Sequence, residues 1–248
     1  MDAVIWSLAS VAVVSLLSLS GIVVLSLKGS ALKRVLLLLV SFSAGALFGD
    51  AFIHLIPEAV GDYGASLTVS LSLIAGIAAF FVLEKFVQWR HCHVPTSKEH
   101  PHPFTYMNLV GDAFHNFIDG VVIAGSYMAS VPIGIATTIA VIFHEIPQEL
   151  GDFGVLLHGG FTKRDAIVCN FATALTAFIG AIAALAIGSS IANFNEYIIP
   201  FTAGGFIYVA GSDLIPELHK ETGAWKSLAQ FLALGAGVLV MLALKSLG

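Results

Sequence analysis

The chain has 248 residues, of which 57% are hydrophobic and only 11% charged, with a mean hydropathy of +0.92. That is too apolar for a soluble domain of this length, so the bilayer is read as its solvent. The formal charge of −5 says little when most acids lie near or within helices, and no nucleic-acid partner is expected.

A spanning helix needs about 20 mostly apolar residues, and eight such segments are predicted, near 4–27, 35–57, 66–86, 105–128, 132–157, 166–188, 197–216 and 226–244. Residues 1–248 are thus read as one transmembrane domain of an all-α integral membrane protein. The first segment follows Met1-Asp2 without a basic n-region or a small-residue cleavage site, which predicts a retained helix rather than a signal peptide. The second ends in HLIPE, residues 54–58, with Glu58 at the helix end where interfacial solvation is the simpler role.

Between the third and fourth segments, residues 88–104 read QWRHCHVPTSKEHPHPF. This stretch holds His91, Cys92, His93, His100 and His102, a Cys/His-rich tract able to bind metal, although its prolines and uneven spacing argue against a folded zinc module. A weak receiving or sensing role and a merely solvated linker both fit it. Cys92 and Cys169 are too few and too differently placed for a disulfide framework.

The fourth and fifth segments carry the polar residues. His115 and Asp119 are spaced i,i+4, with Asp112 one turn earlier; His144/Gln148 and Glu145/Glu149 repeat that spacing, with Asp152 one turn on. A turn is expected near Ser130, 15 residues after His115 and 14 before His144, so both motifs should reach about 21–22 Å into the bundle. An ionisable residue at that depth costs at least about 2.5–3.5 kcal/mol unless it faces the interior, pairs, or binds something. Imidazole with carboxylate and amide oxygen suits a divalent first-row metal, zinc with N/O ligands and manganese or ferrous iron with a more oxygen-rich set. Pro147 frees the carbonyl of Phe143, a kink tolerated in lipid only if another group satisfies that oxygen. Asn170 and His158 read more simply as hydrogen-bonding glue between helices.

Ten of the eleven basic residues (Lys28, Lys33, Arg34, Lys85, Arg90, Lys98, Lys163, Arg164, Lys220 and Lys226) fall on one side of an eight-span arrangement, with Lys245 opposite. The odd-numbered connections are therefore expected in the cytosol and both termini outside it. Residues 44–58, AGALFGDAFIHLIPE, align without gaps to 203–217, AGGFIYVAGSDLIPE, with seven identities in fifteen and His54 opposite Asp213. These are the second and seventh spans, which cross in opposite directions, as in an inverted-topology repeat. A shorter echo pairs HNFIDG at 115–120 with HEIPQE at 144–149.

HNFIDG at 115–120, HEIPQELGDF at 144–153 and HLIPE at 54–58 resemble the signature of the ZIP (Zrt/Irt-like) family of divalent-metal transporters, most closely its histidine-rich HEIPHE-type branch. The resemblance covers essentially the whole chain. It implies an eight-helix bundle with three-plus-two-plus-three inverted organisation, moving zinc, and often iron or manganese, into the cytosol as substrate, with no catalytic cofactor. It also implies a midplane metal site of His115, Asn116, Asp119, His144, Glu145 and the residue at 148, with His54, Asp112, Glu149, Asp152 and Asp213 on the pathway or behind the ligands. The branch commonly has histidine at that last position; Gln148 is the departure, a weaker and neutral donor. A homodimer is left open, as is the membrane concerned. The main rival function is an intramembrane zinc hydrolase, because HEIPQ begins like an HExxH helix. Its second histidine is missing, so no enzyme is expected.

Overall fold

A computed structural model describes residues 2–20, 29–88, 103–158, 160–188 and 190–246. The regular structure of these residues is helical throughout. α1 (Asp2–Leu17) closes with a 3-10 turn at Ser18–Ser20. α2 (Gly29–Gly49) passes through a π-helical turn, Asp50–Leu55, into α3 (Ile56–Tyr63). α4 (Leu67–Gln88), α5 (Pro103–Ala129) and α6 (Val131–His158) follow. α7 (Lys163–Ala174) and α8 (Thr176–Gly188) are parted only by Leu175. α9 (Phe194–Tyr208) runs through a second π-helical turn, Val209–Leu214, into α10 (Ile215–His219), and α11 (Ala224–Lys245) ends the bundle.

Among the described residues, five helical stretches are long and apolar enough to cross a membrane: Leu37–Tyr63, Leu67–Lys85, Val131–Leu157, Lys163–Gly188 and Ala224–Lys245, with Ala3–Leu17 a shorter apolar one. α5 covers the span expected at 105–128, and α9 with the second π-helical turn and the start of α10 covers that expected at 197–216. In α5 the polar set Asp112, His115, Asn116 and Asp119 dilutes the hydropathy. The second expected span, 35–57, is too short. Pro57 sits in the first turn of α3, where its missing N–H costs little, and helix continues to Tyr63 before Gly64 turns the chain at φ 70°.

α4 and α11 lie at the periphery, with Leu71, Ile74, Phe81, Val82, Phe231 and Leu239 exposed as lipid-facing surface. α5 and α6, joined at Ser130 as expected, take the centre with α2 and α9. The helices approach closely where glycine removes the side chain. A Cβ added to Gly45 would lie 2.0 Å from the carbonyl oxygen of Leu234, and one on Gly237 would lie 2.2 Å from that of Phe42. The same contact recurs between α4 and α9: Gly76 against Phe201 and Gly204 against Leu73, each at 2.0 Å.

These contacts correspond. Phe42 and Gly45 precede Phe201 and Gly204 by 159 residues, the offset of the aligned segments 44–58 and 203–217, and the two π-helical turns fall at the same offset. Backbone contact therefore repeats along with sequence. Small residues at crossing points are how helices pack in lipid, where burial of apolar surface supplies no driving force.

Gly45→Ala and Gly204→Ala should each destabilise the bundle by about 1–3 kcal/mol or more, because the clash is with backbone and cannot be relieved by a rotamer. Gly61→Ala, with nothing within 4 Å of its added Cβ, should be neutral within about 0.5 kcal/mol. Thermal unfolding in a fixed detergent checks both, and equal melting temperatures for all three variants would refute the packing argument.

Candidate metal site

α5 and α6 each bring one imidazole and one carboxylate to the same point. Among the described residues, His115, Asp119, His144 and Glu145 offer ligand atoms that all lie within 4.8 Å of one another. His115 Nε2 is 3.3 Å from His144 Nε2, 3.4 Å from Glu145 Oε1 and 3.7 Å from Asp119 Oδ2. His144 Nε2 lies 3.3 Å from both Asp119 Oδ2 and Glu145 Oε1. Four donors set tetrahedrally about 2.0–2.2 Å from a central ion are separated by about 3.3–3.6 Å, so the spacing is that of a zinc-type coordination sphere.

Local bonding orients the donors. His144 Nδ1 stands 3.3 Å from the carbonyl of Ala140, one turn back, which keeps the hydrogen on Nδ1 and turns the Nε2 lone pair toward the cluster. Both oxygens of Asp119 and both of Glu145 are buried without a well-formed hydrogen bond. Buried carboxylate oxygens are normally satisfied, and these four are the atoms that could hold a cation. Phe80 of α4 meets His115 edge-on at 5.9 Å, and Phe206 of α9 meets His144 at 6.1 Å, walling the cluster with rings.

The helix that carries His144 contains Pro147 and yet stays α-helical from Val131 to His158. The carbonyl that proline frees, that of Phe143, is hydrogen-bonded by Ser43 Oγ of α2 at 2.5 Å. The oxygen thus becomes a tie between helices.

Below the four donors, a cavity of about 360 Å³ is lined by His115, His144, Gln148, Asp112, Asn108 and Asp152, among others. Gln148 therefore borders the cluster. Asn116 turns its amide nitrogen to the carbonyl and Oδ1 of Asp112 at 3.1 and 2.8 Å, while its own Oδ1 is buried and unpaired. Asp112 also accepts from Thr173 at 2.5 Å, Asp152 accepts from Asn108 at 2.9 Å, and Glu149 accepts from Asn170. Neutral amides and hydroxyls thus hold the three further carboxylates in place. Asn170 also reaches the carbonyls of Ser18 and Glu149, each at 3.4 Å, the interhelical role expected of it.

His54 is not among the converging donors. It lies in the π-helical turn of Asp50–Leu55, bonded to α11. His91, His93, His100 and His102, with Cys92, fall outside the described residues, and so do the side chains of Asp213, Glu217 and His158. Sequence reasoning missed Ser43, Asn108, Thr173, and Glu84 with Tyr208, which hydrogen-bond each other where α4 and α9 line the cavity. A glutamate near the end of an apolar helix was a visible signal; the hydroxyls gave none.

The family description "ZIP Zinc transporter" matches residues 1–105 and 97–245. Among curated relatives, "Zinc transporter ZIP13" of Pongo abelii is 37% identical over 218 residues, covering 82% of this chain and 65% of that protein. "Zinc transporter YKE4" of Saccharomyces cerevisiae is 35% identical over 236 residues (82% and 67%), and "Zinc transporter SLC39A7" of Homo sapiens 32% over 297 residues (84% and 63%). The chain spans about two thirds of the length of these relatives.

Ser43→Ala should cost about 1–3 kcal/mol by orphaning the Phe143 carbonyl. Ser43→Thr, which keeps the hydroxyl, should recover most of it. A melting temperature for Ser43→Ala equal to that of the parent would show that this hydrogen bond does not hold α6 to α2.

Proposed function

The chain belongs to the ZIP zinc transporter family, and on that premise we propose that it carries divalent transition-metal cations, zinc foremost, through a membrane by way of His115, Asp119, His144 and Glu145. The observation that carries this reading is the tetrahedral spacing of two imidazoles and two carboxylates whose oxygens are buried and unpaired. An ion entering this site exchanges its water shell for four protein donors, and the ligation offsets the cost of desolvating the carboxylates.

Gln148 and Asn116 complete the set as neutral oxygen donors at its edge. Asp112 and Asp152 continue the path along the cavity, and Glu149 stands behind them. Iron and manganese share the route to the extent that oxygen donors suffice. Thiolates play no part.

In this reading the bundle crosses eight times in a three-plus-two-plus-three order. The π-helical turns and glycine contacts repeated between the second and third spans and the seventh and eighth support it. The basic asymmetry supports cytosolic odd-numbered connections and termini on the other side. The cavity extends from His144 toward Asp152 and Asn108, hence toward the connections at 89–102 and 159–162, while the opposite end of α6 is buried around Ala136, Thr137 and Ala140. The conformation is then the one open to the cytosol, after the ion has reached the site and before it leaves.

Zinc uptake into proteoliposomes tests the reading. His115→Ala and Asp119→Ala should each reduce uptake at least tenfold with the protein still folded, since each removes one of four ligands and a metal–ligand contact is worth more than about 1.4 kcal/mol. Parent-like rates in well-folded variants would refute the site.

Gln148→His should raise the affinity for zinc relative to manganese, and Gln148→Glu should shift the preference toward manganese and iron. An unchanged competition profile across both substitutions would place residue 148 outside the coordination sphere.

A further inference from the structure

A second buried polar contact joins α2 to α6 away from the metal donors. Asp50, in the first π-helical turn, is wholly buried; its Oδ2 accepts a hydrogen bond from Thr137 Oγ1 at 2.9 Å. Its Oδ1 accepts none and faces His54 Nδ1 at 3.6 Å. The other nitrogen of that ring, Nε2, is 2.8 Å from the carbonyl oxygen of Met241. A carbonyl can only accept, so Nε2 must carry a hydrogen.

That assignment fixes what Nδ1 can be. In a neutral imidazole it is a lone pair, and it would face the lone pairs of an ionised carboxylate in a site with no room for water-like screening. A proton on either atom removes the conflict. The pair is then an imidazolium beside a carboxylate or a neutral ring beside a carboxylic acid, formally neutral in both cases. Losing that proton leaves one buried negative charge with a single hydroxyl donor, a state that is costly until water reaches Asp50.

The π-helical turn makes the geometry. By widening the helix over Asp50–Leu55 it places the two side chains on the face toward α6 and α11, and such turns are frequent at functional sites. Thr137 lies seven residues before His144 on α6, about 10 Å along the helix, in the direction away from Gln148, Asp152 and the cavity. Among the described residues, the charged group that acts on the pair from a neighbouring element is Lys245 of α11, which also acts on Glu58, one turn on in α3. Lys245 Nζ donates to the carbonyl of Ile53 at 2.5 Å, the oxygen that Pro57 frees. α6 faces the pair with neutral Thr137, and neither α2 nor α9 brings a described charge to it.

We propose that Asp50 and His54 form a proton-binding site that holds one proton while α6 is packed against the π-helical turn, and releases it when this side of the bundle opens. The proton comes from and returns to solvent on the side away from the cavity. Because Thr137 and the ligands His144 and Glu145 share one helix, movement of that helix couples proton release to access to the metal site. Acid then holds the closed contact shut and slows uptake; alkali frees it.

The test uses the full chain, with zinc chloride as the probe, and rests on the transport reading only for its rate measurement. Zinc uptake by the parent should fall several-fold from about pH 8 to pH 6. Asp50→Asn, which keeps an acceptor for Thr137, and His54→Gln, which keeps a donor for Met241, should each lose most of that fall while binding zinc at pH 7.5 within about twofold of the parent. An undiminished fall in both variants overturns the proposal, and so does a large loss of zinc affinity in both, which would make the pair a metal site. Infrared difference spectra between the two pH values supply a readout independent of transport: a carboxyl or imidazole band must disappear in both variants. Its persistence overturns the proposal even if the parent carries no zinc, the result that would instead refute the transport reading.

Discussion

Two carboxylates and two imidazoles meet within 3.3–3.7 Å along the contacts made by the two rings, in the middle of an apolar bundle. That convergence constrains everything around it. Charged groups withdrawn from water cost several kcal/mol each even after relaxation, and attraction repays this only with good geometry and satisfied neighbours. Here the donors point inward and their supports point outward. His144 is held by Ala140, Asn116 is turned to Asp112, and the carboxylates farther down the cavity are held by Thr173, Asn108 and Asn170. In the proposed reading an ion at the centre would supply the hydrogen-bond partners that Asp119 and Glu145 lack, with only neutral supports around it.

Two prolines, Pro147 within α6 and Pro57 in the first turn of α3, each leave a carbonyl to be satisfied. The chain meets that demand with side chains from neighbouring helices. Pro147 frees Phe143, which Ser43 bonds; Pro57 frees Ile53, which Lys245 bonds; the carbonyl of Met241 is taken by His54. In lipid, an unsatisfied backbone group costs several kcal/mol, so the first two contacts do two jobs. They complete the hydrogen bonding of one helix and tie it to the next, while the third is a tie alone. Glycines at Gly45, Gly76, Gly204 and Gly237 bring the backbones close enough for such short ties.

Much of this was legible in the sequence, for physical reasons that also mark where legibility stopped. Intramembrane charge is expensive, so His115, Asp119, His144 and Glu145 stood out against an apolar background, and the turn at Ser130 set them at one depth. Helix ends were less visible: the second segment was drawn only to residue 57, whereas the position of Pro57 in the first turn of α3 lets the helix continue to Tyr63. Side-chain direction was not visible at all. Asn116 and Asp119 sit three residues apart on one helix, yet one amide spends its hydrogens on Asp112 while the carboxylate faces the cluster. His54 read as part of the pathway because it shares LIPE with Asp213, but i,i+4 spacing from Asp50 was the more informative feature. What no periodicity announces is the π-helical turn in which the two residues lie, facing α6 and α11.

The repeat preserves backbone and changes chemistry. Both π-helical turns fall at the same place in the aligned segments, and both are followed by a helix that opens on Ile-Pro-Glu. Asp50 in the first is matched by Val209 in the second, and His54 by Asp213. The second turn thus has no acid at the position corresponding to Asp50. A structure built from two equivalent halves would open on either side at similar cost; replacing an acid–imidazole pair by valine and aspartate on one half makes the two openings energetically different. The symmetry supplies two similar turns in one bundle, and the broken symmetry gives only the first of them an acid and an imidazole four residues apart.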